Sequence, residues 1–189
     1  IQFDFTEQNK NNKYKKINIR KKKNNLEYIY SVSNFEFYRF PGPATLHDID
    51  YLKFQNKIVN FLNKFNLNLT YQSHPSTTIS LKKNPAEKFN LIKKNFEKHL
   101  NSKDIFIFDN TLSTTFWKAI YLNKPIILFK LFNVDDANPY NDRLKLRCAI
   151  LDIKELKYLD KYLDNLSIYS LTEEAISKSN INDNFDLIF

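Results

Sequence analysis

The chain has 189 residues, 42% hydrophobic, and a formal charge of +8, which is long enough for one full core and too apolar for a disordered chain. Cys148 is the only cysteine, and His47, His74 and His99 are widely separated, so neither a disulfide framework nor a zinc centre is predicted. Residues 1–25 carry eight Lys or Arg against Asp4 and Glu7, so the rest of the chain is nearly balanced and no nucleic-acid groove is read from the charge.

Those first 25 residues read as a linker or the remnant of a missing N-terminal domain, and 26–189 as one Rossmann-like domain. The chain begins with Ile and contains no Met, which predicts a piece of a longer protein lacking an N-terminal half. Lys13–Lys23 could meet an anionic membrane surface, with a solvated linker as the competing reading. No apolar run reaches the ~18 residues of a membrane span and no signal peptide is visible. A cytoplasmic domain, in peripheral contact at most with the inner face of the membrane, is expected.

Leu26–Ser31 is the first predicted strand, aromatic and β-branched. A loop holding Arg39 follows, and Asp48 can cap a helix to about Phe65 with Tyr51, Leu52, Ile58, Val59, Leu62 and Phe65 on its apolar side. Leu67–Gln72 is the second strand, ended by Ser73-His74-Pro75-Ser76. Pro85 opens a predicted helix to about Leu100, with Phe89, Ile92, Phe96 and Leu100 spaced for burial.

The segment Asp104–Phe129 is the most informative. Ile105–Phe108 is an apolar run of the kind buried in a parallel sheet, and Asp109-Asn110 breaks it. Ser113, Thr114 and Thr115 stand where a helix should start, and Phe116, Ala119, Ile120 and Leu122 recur at helical spacing. Asn123-Lys124-Pro125 stops that helix, because the residue before proline avoids helical backbone. Ile126–Phe129 is the next buried strand. Beyond it a loop, Lys130–Tyr140, and helices near Arg143–Ala149, Lys154–Leu163 and Thr172–Ser177 are predicted.

The alternation predicts an α/β fold, a Rossmann-like open parallel sheet with helices on both faces. Four loops, Ser33–Thr45, Ser73–Thr78, Asn110–Thr115 and Lys130–Tyr140, should gather at its carboxyl edge. Ser113, Thr114 and Thr115 are phosphate-binding candidates, because a helix N-terminus offers N–H groups and positive dipole. Plain helix capping is the competing reading. His74 could donate to a phosphate or work as acid or base, or be a turn residue without a role. Asp109 could hold a ligand hydroxyl, or only form a turn. Arg39 could clamp a phosphate, or pack its stem on Tyr38 and Phe40. Asp135-Asp136 could coordinate Mg²⁺, with a solvated loop as the simpler reading, so no metal site is predicted. Trp117 reads as core. No P-loop or dinucleotide glycine motif is present.

Ser73-His74-Pro75, followed by DNTLSTTFWKAIYLNKPIILF at 109–129, resembles the C-terminal half of bacterial GT-B-type transferases, in particular a family of surface-carbohydrate transferases. Its pattern runs approximately D-x-x-x-[SG]-T-T-F-L-E-x-L-x-x-N-x-P-x-I-x-F. A more distant similarity is to the CDP-glycerol glycerophosphotransferases, which carry an HP motif and a D-Y-S-S loop. The match covers about residues 67–130. It implies the donor-binding half of a two-domain enzyme, with a nucleotide-linked sugar or polyol donor as substrate and no cofactor. The carbohydrate acceptor and the catalytic base would belong to a missing N-terminal domain. His74, Ser113 and Thr114 match positions near the donor phosphates, and Asp109 matches the strand-end acid. Lys118 stands where the pattern has Glu. The rivals are a nucleotide-sugar epimerase or a glycerophosphotransferase on the same fold, and a non-catalytic Rossmann-like interaction module.

Overall fold

The computed structural model describes residues 26–31, 48–72, 90–92, 96–111, 113–131 and 141–181. They form six strands, β1 Glu27–Ser31, β2 Asn68–Gln72, β3 Asn90–Ile92, β4 Ile105–Phe108, β5 Ile126–Leu131 and β6 Ala149–Ile153. Every pairing is parallel, and the order across the sheet is β3-β2-β1-β4-β5-β6. The helices are α1 Asp48–Asn63, α2 Phe96–Leu100, α3 Thr114–Tyr121, α4 Asn141–Arg147, α5 Leu159–Asp164 and α6 Ile168–Ile181, with a 3-10 turn at Leu156–Tyr158. The fold is a Rossmann-like open parallel sheet covered on both faces.

Period-two alternation assigns each strand residue to a face. Tyr28, Tyr30, Ile105, Ile107, Ile127 and Phe129 pack with α1, α5 and α6. Ile29, Phe106, Phe108, Ile126 and Leu128 pack with α2, α3 and α4. Both faces of the central strands are dry, which is why β4 and the Ile126–Phe129 part of β5 read as unbroken apolar runs. The chain steps one way along the sheet from β1 to β2 and the other way from β4 to β5. With a constant crossover hand, these opposite steps place α1 and α3 on opposite faces.

The four strands expected from sequence are present in one parallel sheet. Several other expectations are corrected. Of the helix predicted over 85–100, the described residues Asn90–Ile92 form strand β3 and Phe96–Leu100 the short α2, and the others lie outside the described residues. Asn90, Leu91 and Ile92 pair with Thr70, Tyr71 and Gln72, so an edge ladder on β2 outweighs the local helical spacing. The helix expected to reach Ala149 ends at Arg147, and Ala149–Ile153 becomes β6 against β5. Thr172 does not start a helix: α6 begins at Ile168, and the Thr172 hydroxyl donates back to the Ile168 carbonyl one turn earlier.

The stop after α3 is more specific than the proline rule. Asn123 has φ 50°, its N–H donates to Ile120 O at 3.0 Å, and Lys124 N–H donates to Ala119 O at 3.0 Å. This is a Schellman ending with Asn in the left-handed position. Arg147 closes the same end, with Nη2 donating to Lys124 O at 2.9 Å.

Candidate functional site

Consecutive connections leave β1 and β4 toward opposite faces, so a crevice opens beyond their carboxyl ends. Open parallel sheets bind ligands at such a switch point. Ser31 is level with Phe108 in the register, and Asp109 follows immediately. Helix α1 enters on one side of this point and α3 on the other. The strand order 3-2-1-4-5-6 therefore brings the Asp109–Ser113 turn to the crevice.

Asp109 is buried at the bottom of that turn. Its Oδ2 accepts from Tyr30 Oη at 3.0 Å and from Gln55 Nε2 at 2.7 Å, and its Oδ1 accepts from Asn110 Nδ2 at 3.3 Å. Asn110 Nδ2 also reaches Tyr51 Oη at 3.3 Å. One carboxylate thus ties β1, α1 and the β4–α3 turn together. This is more than turn forming, since charge-assisted bonds hold it to side chains 79 and 54 residues away in sequence.

Ser113 is the N-cap of α3, with extended backbone and its Oγ accepting the Thr115 N–H at 3.2 Å. A close hydroxyl contact joins Ser113 Oγ and Thr115 Oγ1. Capping is therefore realised. Thr114 is exposed, while Ser113 and Thr115 are half-buried, so the rim of the first turn faces outward. Phe116, Ala119 and Ile120 anchor the opposite side of the helix in the core. Trp117 is partly buried, edge-on to Phe116 at 5.2 Å.

Tyrosines concentrate behind the carboxylate. Burial, then the negative charge of Asp109, holds the Tyr30 hydroxyl well above the ordinary tyrosine range. Tyr71, edge-on to Tyr30 at 5.7 Å, is raised by the same two causes in the same order. Burial also raises Tyr28. Raised folded values mean that the associated stability is fully present below the unfolded tyrosine value of about 10 and drains away as pH rises beyond it, because the unfolded chain releases protons that the fold retains. Alkaline titration followed by phenolate absorbance should show these three of the 11 tyrosines ionising only with loss of circular dichroism. Ionisation of all of them near the ordinary value, with the fold intact, would contradict this.

The structure brings Asp109 and Ser113–Thr115 onto one turn at the crevice. His74, Arg39, Asp135 and Asp136 lie outside the described residues, as does the Lys13–Lys23 segment. Gln55, Tyr30, Tyr51 and Asn110 were not among the sequence candidates. Gln55 had a signal: it stands one turn from Tyr51 and one from Val59, a polar residue inside an apolar stripe. Lys130, expected in a loop, belongs to β5. It is buried on the α3 face by strand alternation, and its Nζ lies 3.6 Å from Asp152. It stands at the same sheet edge as an ion pair with Asp152.

Among the described residues no cluster of three or more His, Cys, Asp or Glu could hold a metal ion, and no helix is long and apolar enough to cross a membrane. No protein-family model matches the chain, and comparison with curated proteins finds no match.

Proposed function

We propose that this chain is the donor-binding domain of a glycosyltransferase-like enzyme of surface polysaccharide synthesis. It would take a nucleotide-linked donor and present its sugar or polyol phosphate for transfer. The observation that carries the reading is the placement of the α3 N-terminus at the switch point between β1 and β4. The exposed rim of that first turn offers the positive end of the helix dipole to a diphosphate, with the Thr115 N–H taken by the Ser113 cap and the Phe116 N–H by the Ser113 carbonyl, and the Lys130–Asp152 pair stands at the same edge. His74 and Arg39 belong to the proposed phosphate set on the resemblance. An acceptor-binding half would complete the enzyme, which makes this domain alone inactive in transfer.

The competing reading is a non-catalytic Rossmann-like module. Two observations favour it: the Ser113 hydroxyl is already engaged by Thr115, and the chain has a single glycine where close approach to phosphate usually needs several. Calorimetric titration separates the two. UDP, CDP or GDP should bind the folded domain at millimolar concentration or below, and His74→Ala should stay folded and lose affinity. Ser113→Ala must be read by titration rather than melting, since loss of the cap itself costs about 0.5–2 kcal/mol. No binding of any of the three nucleotides would favour the module.

A further inference from the structure

Among the described residues, four buried side-chain atoms have no hydrogen-bond partner: Gln55 Oε1, Gln72 Oε1, and Nε and Nη1 of Arg147. They are segregated. The two donors belong to Arg147, which binds the chain between α3 and β5 at the amino edge. The two acceptors stand at the carboxyl edge. Gln72 is the last residue of β2, level with Ser31, and Gln55 lies against Asp109. The Gln55 amide cannot turn over to hide its oxygen. Asp109 Oδ2 only accepts, so the amide nitrogen must face it at 2.7 Å, and Oε1 is left over. Gln55 is fully buried, so this oxygen has no bulk water to satisfy it.

A diphosphate brings acceptors and no donors at neutral pH, so it cannot answer these oxygens. What they can take is a proton donor, which is either an ordered water or a ligand carrying hydroxyl or amino protons. We infer that Gln55 is a specificity-determining residue of the switch-point site, its Oε1 accepting a hydroxyl proton from the polyhydroxylated part of the ligand while Asp109 holds the amide in place. The inference rests on the nucleotide-donor reading and adds to it: the anion sits at the α3 N-terminus, and the hydroxyl group turns toward α1. The hydroxyl has two possible sources, the ribose and the transferred sugar or polyol. A site that offers a buried polar partner discriminates against analogues lacking the matching group more strongly than an apolar pocket can.

The test is calorimetric titration of the parent chain and of Gln55→Met with inorganic pyrophosphate, UDP, 2′,3′-dideoxy-UDP and UDP-glucose, repeated with CDP and CDP-glycerol. The parent should bind a hydroxyl-bearing ligand at least about tenfold more tightly than its counterpart without that hydroxyl. Gln55→Met should erase that preference, lowering affinity for the hydroxyl-bearing ligand by a larger factor than it lowers affinity for pyrophosphate, a pattern that general loosening of the fold would not produce. Preference for UDP over its dideoxy form assigns the ribose. Preference for UDP-glucose over UDP, or CDP-glycerol over CDP, assigns the transferred group. If nucleotides bind but Gln55→Met keeps the preference, the inference fails while the donor-binding reading stands. If the variant does not fold, the parent decides alone, and equal affinity across each pair overturns the inference. No binding by the parent overturns both.

Discussion

Asp109→Ala should be among the most damaging single substitutions in the domain, lowering stability by roughly 2–6 kcal/mol. The range follows from leaving the Tyr30 hydroxyl and the Gln55 amide buried without an acceptor, at about 1–3 kcal/mol each. A domain of this size has about 5–15 kcal/mol in total. Urea denaturation followed by circular dichroism would give the loss as a lower midpoint at unchanged slope. If the damage comes from orphaned donors, removing them together with the carboxylate should recover much of it. The triple variant Asp109→Leu, Tyr30→Phe, Gln55→Leu should therefore be more stable than Asp109→Ala, since buried polar groups replaced together by apolar ones of similar shape are often neutral or better. A triple variant no better than the single one would mean that Asp109 acts chiefly through the turn backbone. Stability restored by apolar replacement would also imply that the network is kept for what it holds in position, the start of α3.

How far the sequence reveals this site depends on the range of the interactions concerned. The strands at Ile105–Phe108 and Ile126–Phe129 were legible because burial on both faces leaves an uninterrupted apolar run, whereas Lys130, buried within β5, hid the last two residues of that strand. Ser113 was legible because a cap is a local contact, reaching only to Thr115. β3 and β6 were not, because short strands there are fixed by the ladders of β2 and β5, far away in sequence. Strand order was likewise beyond reach. Without it nothing joins Tyr30, Gln55 and Asp109, although Gln55 among apolar neighbours was the one visible trace. Thr172 misled for a related reason. Its hydroxyl serves equally at a helix start or bonded back inside a turn, and the contact with Tyr28 at 3.3 Å belongs to the interior choice.

Phe116→Ala should cost about 3–5 kcal/mol, the usual range for deleting a fully buried phenylalanine. Phe116 is the core anchor of α3, edge-on to Phe108 at 5.3 Å and to Trp117 at 5.2 Å. Its loss leaves a cavity between α3 and the carboxyl end of β4, directly below the turn that carries Ser113. The contrast with Ser113→Ala is informative, because that change removes a cap worth about 0.5–2 kcal/mol and leaves the helix seated. Isolated helices of eight residues do not persist in water, so α3 exists through its packing rather than its propensity. Native-state hydrogen exchange should therefore show the α3 amides deprotected in Phe116→Ala before those of β4 and β5. The expected signature is a folded sheet with a loosened first turn at the crevice, and nucleotide affinity reduced more than by the loss of the cap. If α3 and the sheet instead lose protection together, the helix and the sheet form one cooperative unit, and the start of α3 cannot move without unfolding the domain.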